Sequence, residues 1–541
     1  MISGAEIMVK CLEQEDVSIL FGYPGAAICP FYDALIGSNI KHILVRQEQN
    51  AVHSASGYAR SVGRPGVCVA TSGPGATNLI TGIATAYTDS IPIVAITGQV
   101  RSDLLGRDVF QEADITGACE PFVKHSYIVS DTADLPRVFK EAFHIAATGR
   151  PGPVLIDVPI DMQTNKIEEF IYPEKASIPG YKPSTQGHLM QIKRAVEAIK
   201  EAKRPIICAG GGVLSSGIKP RFVEFVNQTG IPVVSTMMGI GIMPSDHEQY
   251  LGMLGTHGKT VANRAMHNAD LILVCGARLG DRAVAAPDQV AHRAKVIHID
   301  IDPAEIGKNI RTTIPIVGDM KNVIAKLLEE TVSYKVPQEW LQDVLKWKAE
   351  LFRVPPKFDG FVEPRSFVAH LSEKLPSKSI LVADVGQNQI WCANNFRIKE
   401  GRFLTTGGMG TMGYSLPAAV GAKFARADRE VVVVCGDGSF QMSMNELGTI
   451  AQNHLNIKII IMRNDRLGMV RELQKLNYES RYIATFLDEQ APDFIKIAQA
   501  YHIPAACARS NEDAEKAVEE MLKHDGPFLL VCRVSPDTPS V

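Results

Sequence analysis

The sequence predicts an α/β protein made of three doubly wound parallel-sheet domains in series. Short unbroken apolar runs recur along the chain, helical stretches alternate with them, and two Pro-rich stretches divide them into three groups. Unbroken apolar strands are typical of parallel sheets that are covered on both faces. The length of 541 residues also favours more than one hydrophobic core.

Five apolar runs predict the strands of the first domain, which we place at residues 1–170. A capping box at Ser3–Glu6 opens an N-terminal helix where a signal peptide would show a long apolar run, so we expect the fold to begin almost at Met1. The predicted strands are Val17–Phe21, Ile43–Val45, Val67–Thr71, Pro92–Thr97 and Val154–Val158.

Two further groups of runs predict a middle domain at 188–335 and a third domain at 365–541. The middle strands are Pro205–Ala209, Pro232–Ser235, Leu271–Cys275 and Val296–Ile299. Those of the third domain are Ile380–Ala383, Val431–Cys435, Ile457–Met462 and Phe528–Val531. The Pro-rich stretches Tyr172–Gly187 and Pro355–Pro364 lack periodicity and are interpreted as linkers.

The net charge and the amino-acid composition exclude some classes of binding partner. A net charge of -3 provides no general basic field, so neither nucleic acid nor an anionic membrane is expected as a partner, and no apolar run is long enough to span a bilayer. The ten cysteines occur singly, without a CxxC pair. Buried reduced thiols in a cytoplasmic protein are therefore expected, in preference to disulfides or a zinc site.

The third domain offers oxygen ligands at the ends of two strands. Val431–Cys435 runs into Gly436-Asp437-Gly438-Ser439, and Ile457–Met462 ends near Asn464, one βαβ unit later. Ligands bind at the carboxyl ends of parallel strands, and carboxylate and amide oxygens suit Mg²⁺. A GDG sequence alone is more often a tight turn, but Asn464 weakens that alternative. The pair resembles the cofactor motif of thiamine-diphosphate enzymes.

Two other loops have the same character. A Gly-rich loop, Gly407–Gly413, precedes an apolar helix at Ala418–Ala425, and its glycines leave backbone groups accessible to a ligand. In the first domain, Glu48 opens a helix beside Arg46, which taken alone indicates a surface ion pair. Loops at Thr71–Asn78 and Phe110–Glu112 would meet Glu48 at one sheet edge.

With these motifs the chain resembles the acetohydroxyacid synthase (acetolactate synthase) catalytic subunit over essentially its whole length. The resemblance rests on the segments TSGPGATN, TAYTDSIPIVAITGQV, GRPGPVLIDVP, GDGSFQM and LGMVREL. It implies a transferase of branched-chain amino acid biosynthesis that decarboxylates pyruvate on thiamine diphosphate and joins the fragment to a second 2-oxo acid. It also implies Mg²⁺, structural FAD, a homodimer or homotetramer with Glu48 and the metal site on different subunits, and a separate small regulatory subunit.

The resemblance assigns roles to individual residues. Glu48 matches the carboxylate that forms a hydrogen bond with the cofactor's aminopyrimidine ring. Met442 matches the apolar side chain that supports the bent form of the cofactor, and Arg282 matches the arginine that binds the acceptor substrate. The catalytic set is Glu48, Gln111, Arg282 and Met442, and the metal set is Asp437, Asn464 and Arg466. Residues matched to thiamine diphosphate are Gly25, Ala26, Pro74, Asn78, Val385, Gly386, Gln387, Asn388, Gly410, Met412, Gly438, Ser439, Leu467, Gly468 and Met469.

The middle domain carries only part of a dinucleotide fingerprint, Gly210-Gly211-Gly212, with Ser215 at the third glycine position. A structural domain without a ligand is the alternative. The resemblance implies FAD, with contacts at Arg150, Gly211, Gly212, Leu254, Gly255, Thr256, His257, Gly276, Arg278, Asp300 and Asp319.

Several matched positions depart from the family pattern. The departures are Gln47 for His, Ile160 for Lys, Thr256 for Met, Leu473 for Trp, and Arg463, Asp465 and Arg466 within the usual Asn-Asn-Gly-Tyr. The Trp favours 2-oxobutyrate as acceptor, so Leu473 predicts weak discrimination, and the channel changes predict poor binding of herbicides. A pyruvate-oxidase-like flavoenzyme, a related acyl transferase or hydrolase, and an inactive cofactor-binding protein are the alternatives.

Overall fold

Three parallel six-stranded sheets follow one another in the computed structural model, which describes residues 1–350 and 358–541. This confirms the prediction of three doubly wound domains. The sheets span residues 19–159, 205–317 and 380–533, and the finer domain limits remain predictions. Of the second predicted linker, Pro355 and Pro356 lie outside the described residues, whereas most of Tyr172–Gly187 is irregular as expected.

The first sheet has the strand order β3-β2-β4-β5-β7-β6, and all neighbours are parallel. A short antiparallel pair, β1 with β8, joins the two ends of the domain. The strands are β1 (Ile2–Ser3), β2 (Ile19–Gly22), β3 (Lys41–Leu44), β4 (Gly66–Ala70), β5 (Ile93–Gln99), β6 (His125–Ile128), β7 (Pro153–Pro159) and β8 (Lys166–Ile167). The helices are Gly4–Gln14, Cys29–Ala34, Glu48–Val62, Pro74–Thr77, Ile80–Thr88, Ile115–Cys119, Leu135–Ala147 and Ile160–Thr164.

The middle sheet has a different order, β11-β10-β9-β12-β13-β14, which is the 3-2-1-4-5-6 order of dinucleotide-binding folds. Its strands are β9 (Pro205–Ala209), β10 (Val233–Ser235), β11 (Tyr250–Met253), β12 (Leu271–Cys275), β13 (Lys295–Asp300) and β14 (Ile314–Val317). The helices are Leu189–Glu201, Gly211–Ser215, Lys219–Thr229, Thr260–Asn268, Pro287–Arg293, Met320–Glu330 and Gln338–Glu350.

The third sheet repeats the order of the first, as β16-β15-β17-β18-β20-β19. Its strands are β15 (Ile380–Ala383), β16 (Arg402–Leu404), β17 (Val431–Gly436), β18 (Ile457–Arg463), β19 (Ala505–Ala508) and β20 (Phe528–Arg533). The helices are Pro364–Lys374, Gln387–Asn395, Ser415–Ala425, Asp437–Gln441, Leu447–Gln452, Gly468–Asn477, Phe494–Ala500 and Asn511–Lys523. The helix between β17 and β18 in that βαβ unit begins only at Leu447, because a 3-10 turn occupies Met444–Glu446.

The first and third domains share one hydrophobic core, which runs from Phe21 and Ile43 to Val433 and Ile459. Helix Glu48–Val62 packs against helix Ser415–Ala425 at its centre. The backbones approach so closely that a Cβ on Gly57 would lie 1.9 Å from the Ala418 carbonyl oxygen. This contact fixes the helix that begins at Glu48 against the third domain.

Candidate active site

Glu48 is the first residue of its helix and lies at the carboxyl edge of the first sheet. Asn78 Nδ2 donates to Glu48 Oε2 at 2.9 Å, so the two predicted residues meet although 30 residues separate them. The Thr71 side chain lies in the same corner and packs against Gly25. Its Oγ1 accepts a hydrogen bond from the Ala27 amide at 3.2 Å. The carboxylate therefore sits half-buried in a preformed polar corner.

Gln111 belongs to the same corner. It lies against Gly73, where a Cβ would meet the Gln111 Cβ at 2.9 Å, and its own φ of 60° is left-handed. Such a conformation is costly for a residue with a side chain and is common at functional sites. The Glu112 carboxylate braces this loop by accepting the amides of Gly106 and Val109, which lowers the pKa of Glu112.

The predicted metal residues occupy neighbouring strand ends of the third sheet. Asp437 Oδ2 accepts the Asp465 amide at 2.7 Å, and Asn464 Oδ1 accepts the Arg466 amide at 3.0 Å. Burial, together with the nearby Asp465 charge, raises the pKa of Asp437 to about 6, although the hydrogen bond from the Asp465 amide lowers it. A buried carboxylate with this raised pKa gains from a nearby cation. One carboxylate and one amide oxygen at adjacent strand ends fit a Mg²⁺ that takes its other ligands from phosphate and water.

The unusual residues around Asn464 form a compact charge network. Asp465 has a φ of 56°, a left-handed conformation that Asp tolerates better than most residues. Its carboxylate receives Arg463 Nε at 2.7 Å, and Arg533 lies 3.7 Å away. Arg466 contacts Asp488 at 2.8 Å, so its side chain is directed away from a ligand role and only its backbone carbonyl could serve the metal.

Three helices begin beside these ligands: Gln387–Asn395, Asp437–Gln441 and Gly468–Asn477. A Cβ on Gly438 would lie 2.9 Å from Leu467, and one on Gly436 would lie 3.2 Å from Asn388 Oδ1, so the three N-termini touch. The first amides of a helix have no intrahelical partner, and Gly386 and Gly436 have no side chain with which to cap them. Converging open N-termini are suited to an anion such as a diphosphate.

The Gly-rich loop is shaped by two carboxylates that the sequence did not point to. Asp384 Oδ1 and Oδ2 accept the amides of Gly413 and Ser415 at 2.9 and 2.8 Å, and burial raises the pKa of Asp384. Asp89, from the first domain, accepts the Gly408 amide at 2.7 Å. The loop consequently presents Gly410 and Met412 in a fixed shape, and the Met442 side chain beside Gly413 is 55% exposed.

The packing of the middle domain by itself requires glycine at two of the positions matched to FAD. Gly212 and Gly276 meet at the crossing point between β9 and β12, where a Cβ on Gly212 would lie 2.8 Å from the Gly276 Cα. Two buried acceptors nearby, Glu305 Oε2 and Asn394 Oδ1, have no hydrogen-bond partner among the described residues. Glu305 also pairs with Arg150 at 2.7 Å, and Asn394 Nδ2 donates to the His257 carbonyl at 2.8 Å. These unpaired acceptors fit a ligand that carries hydroxyl or amino groups.

The remaining residues matched to FAD are spread over the same edge of that sheet. Thr256 donates its amide to the Arg282 carbonyl at 2.9 Å, next to Leu254 and Gly255. Asp300 ends β13, where burial raises its pKa to about 6, and Arg278 lies near Asp89. Asp319 is occupied as the N-cap of helix Met320–Glu330, since it accepts the Lys321 amide at 2.8 Å.

Arg282 lies in the middle domain, in the loop between β12 and helix Pro287–Arg293. Its side chain is 80% exposed and its ion pair with Asp281 is long, at 3.7 Å, so the guanidinium is available to a substrate carboxylate. Burial lowers the pKa of His257, the Arg282 charge lowers it further, and Glu472 partly counteracts both, which places the three side chains near one another. Leu473, half exposed, follows Glu472 on helix Gly468–Asn477.

The Glu48 cluster and the Asp437–Asn464 cluster share no hydrogen bond among the described residues. The Glu48 carboxylate bonds to Asn78 of the first domain, whereas Asp437 and Asn464 bond within the third. Across residues 1–350 and 358–541, no three His, Cys, Asp or Glu side chains gather as a metal site. In the same described ranges, no helix has the length and apolar character needed to cross a membrane.

Comparisons with known proteins agree with this geometry. Three domain families match consecutive segments: "Thiamine pyrophosphate enzyme, N-terminal TPP binding domain" at 2–118, the "central domain" at 192–327 and the "C-terminal TPP binding domain" at 384–532. The chain is 45% identical to the "Probable acetolactate synthase large subunit" of Methanocaldococcus jannaschii, over 99% of this chain and 92% of the relative. It is 44% identical to the "Acetolactate synthase large subunit" of Corynebacterium glutamicum over 99% and 87%, and to that of Haemophilus influenzae over 96% and 92%.

Proposed function

The chain belongs to the acetolactate synthase large-subunit family of thiamine pyrophosphate enzymes, and on that premise we propose how its own residues carry out the reaction. The family reaction joins a two-carbon unit from pyruvate to a second 2-oxo acid, at the start of branched-chain amino acid biosynthesis. Thiamine diphosphate, when bound, supplies the carbon nucleophile and stabilises the negative charge left by the loss of CO2. The convergence of three open helix N-termini on Asp437 and Asn464 is the observation that carries the proposal.

The third domain holds the diphosphate end of the cofactor in this proposal. Asp437, Asn464 and the Arg466 carbonyl hold Mg²⁺, and the first-turn amides at Gln387, Gly438 and Gly468 bind phosphate oxygens. Met442 and Met412, which lie beside the Gly-rich loop, support the organic part of the cofactor. The loop itself needs no movement to do so, because Asp384 and Asp89 already fix its backbone.

The first domain supplies the proton chemistry. Glu48 accepts a hydrogen bond from the aminopyrimidine ring and thereby favours the tautomer whose nitrogen takes the proton from the reacting carbon. Asn78 holds the carboxylate in place for that bond. Since Glu48 and the metal residues form separate clusters in one chain, we propose a homodimer in which the Glu48 of one protomer faces the metal site of its partner.

Substrate recognition is assigned to the loop of the middle domain that follows β12. Arg282 binds the carboxylate of the acceptor 2-oxo acid, with Leu473 and Thr256 on the walls of the channel. FAD in the middle domain is proposed as a structural cofactor, supported by the unpaired buried acceptors of Glu305 and Asn394. Association with a separate small regulatory subunit remains part of the proposal, as does a tetramer.

One assay tests the proposal against a flavin oxidoreductase. Purified protein is incubated with thiamine diphosphate, Mg²⁺, FAD and pyruvate, while acetolactate and flavin absorbance are followed together. Acetolactate that accumulates while the flavin stays oxidised is the expected result. Bleaching of the flavin at the rate at which pyruvate disappears, without acetolactate, would instead identify an oxidoreductase of the pyruvate-oxidase type.

A further inference from the structure

Gln387 has every hydrogen of its carboxamide in use. Its Nε2 donates to Glu472 Oε1 at 3.0 Å and to the Thr538 carbonyl at 3.0 Å, and its Oε1 accepts from Asn464 Nδ2 at 2.9 Å. The side chain is buried, and a Cβ on Gly468 would lie 1.9 Å from Gln387 Oε1, so residue 468 leaves it no room to turn aside. Gln387 therefore links Glu472 to Asn464, so that the orientation of its carboxamide determines which atom of Asn464 faces it.

The orientation is determined by what the two partners of Nε2 can do. A carboxylate and a backbone carbonyl only accept hydrogen bonds, so both must face the amide nitrogen of Gln387. The oxygen of Gln387 then faces Asn464 and can only receive its Nδ2 hydrogens. As a consequence, Asn464 Oδ1 is directed away from Gln387, with the Arg466 amide as its one donor at 3.0 Å.

We propose that Glu472 is a positioning residue for the metal site: through Gln387 it directs the oxygen of Asn464 towards the cation. This inference rests on the proposed function, because it takes Asn464 to be a Mg²⁺ ligand. If the Gln387 carboxamide rotated so that its oxygen and nitrogen exchanged places, its amide nitrogen would face Asn464. The Asn464 carboxamide would then rotate as well, to present its oxygen to Gln387 and its nitrogen to the metal. An amide nitrogen is no ligand for Mg²⁺, so the orientation of two carboxamides decides whether the site binds.

Glu472 is itself held by the last residues of the chain. The Ser540 amide donates to Glu472 Oε1 at 2.7 Å, and the Ser540 hydroxyl donates to Oε2. The preceding residues are fixed on the same helix, since Arg471 contacts the Pro536 carbonyl at 2.9 Å and Asp537 at 3.1 Å. The segment 536–540 thus holds the Glu472 carboxylate in position, and its Thr538 carbonyl is the second acceptor for Gln387 Nε2.

The test compares variants of the full chain that differ only in what residue 472 offers to Gln387. Apo-protein is prepared with a chelator, and the dissociation constant of Mg²⁺ is measured by calorimetry at saturating thiamine diphosphate. Glu472→Ala is expected to raise that constant about 10- to 100-fold, the cost of removing an outer-sphere partner. Water that fills the space donates as readily as it accepts, so only the Thr538 carbonyl still orients Gln387 and its preference for one orientation is weakened.

Two variants distinguish a change in the orientation of the Gln387 carboxamide from a general loss of structure. Glu472→Gln keeps an acceptor for Gln387 and is expected to bind Mg²⁺ as the wild type does. Ser540→Ala removes only the hydroxyl on the far oxygen and is expected to do the same. The activity of Glu472→Ala is expected to return towards the wild-type value when Mg²⁺ is saturating, which a general loss of structure would not allow.

Several results would overturn the inference. Wild-type Mg²⁺ affinity in a folded Glu472→Ala protein would do so, as would equal losses in the Ala and Gln variants, which would point to charge instead of orientation. Should Glu472→Ala unfold, Glu472→Asp, whose carboxylate falls short of Gln387, takes its place with the same expected loss. Failure of the wild type to bind Mg²⁺ with thiamine diphosphate would instead refute the proposed function, and this inference with it.

Discussion

The first and third domains have the same strand order but offer opposite chemistry at the same place. In each sheet the third strand along the chain runs into a very short helix: β4 into Pro74–Thr77 and β17 into Asp437–Gln441. Pro74 has no amide hydrogen, so the first helix offers one donor fewer at its start, whereas the other helix begins with the Asp437 carboxylate, which accepts the Gly438 amide at 3.1 Å. The fold supplies the position, and two or three residues after a strand decide what binds there.

The largest expected effect comes from removing the carboxylate that makes the third domain differ from the first. Asp437→Ala is expected to abolish Mg²⁺-dependent binding of thiamine diphosphate, exceeding the about 10- to 100-fold cost of losing an outer partner, because a direct ligand disappears. Calorimetry of the apo-protein measures it. Asp525→Ala, which removes an exposed carboxylate of the same domain, is the control, and unchanged cofactor binding in Asp437→Ala would refute the metal site.

Glu48→Gln tests the other half of the comparison. Asn78 can still donate to the new amide oxygen, so we expect cofactor binding to persist while acetolactate formation falls about 10²- to 10⁴-fold, the usual contribution of proton transfer. Activity and thiamine diphosphate affinity are measured side by side. Glu120→Gln, an exposed glutamate of the same domain, serves as the matched control. A parallel loss of affinity would mean that Glu48 holds the cofactor and does no more.

Leu473→Trp is expected to sharpen acceptor choice. An added apolar contact with one methylene is worth about 1–3 kcal/mol, so the product ratio should move towards acetohydroxybutyrate by about 10- to 200-fold. Competition between pyruvate and 2-oxobutyrate at equal concentration measures the ratio. Leu476→Trp on the same helix, 80% exposed, is the control. A wild-type protein that already makes mostly acetohydroxybutyrate would contradict the role given to Leu473.

The smallest expected effect concerns the contact that joins the two domains. Gly57→Ala forces a methyl group towards the Ala418 carbonyl oxygen, and the overpacking should lower the free energy of unfolding by about 1–3 kcal/mol. Thermal or denaturant unfolding measures the change. Gly280→Ala is the control, because nothing lies within 4 Å of a Cβ there. Equal stability in the two variants would show that helix Glu48–Val62 can shift away from the third domain.

Central strands could be predicted from the sequence, and edge strands mostly could not. Of the six edge strands only β3 was predicted; β6, β11, β14, β16 and β19 were missed. Each lacks an unbroken apolar run for a local reason. Pro315 and Gly252 interrupt β14 and β11, β16 has three residues, and β6 and β19 leave half or more of their residues in contact with solvent.

The candidate site divides in a similar way. Asp437 and Asn464 could be expected at one sheet edge from the sequence, because each follows a buried strand and has an oxygen that suits a cation, whereas Glu48 was singled out by the resemblance. Asp384, Asp89 and Glu472 could not be predicted, since their importance lies in contacts with residues 29, 319 and 85 positions away. A sequence shows which residues end a strand, but not which distant amide a carboxylate will hold.

The bond from Asp89 to the Gly-rich loop has a consequence for how the enzyme assembles. Four glycines in the seven residues Gly407–Gly413 give the loop no shape of its own, and Asp89, one of the two carboxylates that shape it, belongs to a domain completed hundreds of residues earlier in synthesis. Contacts between segments so far apart in sequence form late in folding. The Gly-rich loop is therefore among the last parts of the chain to take its final shape. A newly made third domain would not bind its cofactor until the first domain had docked.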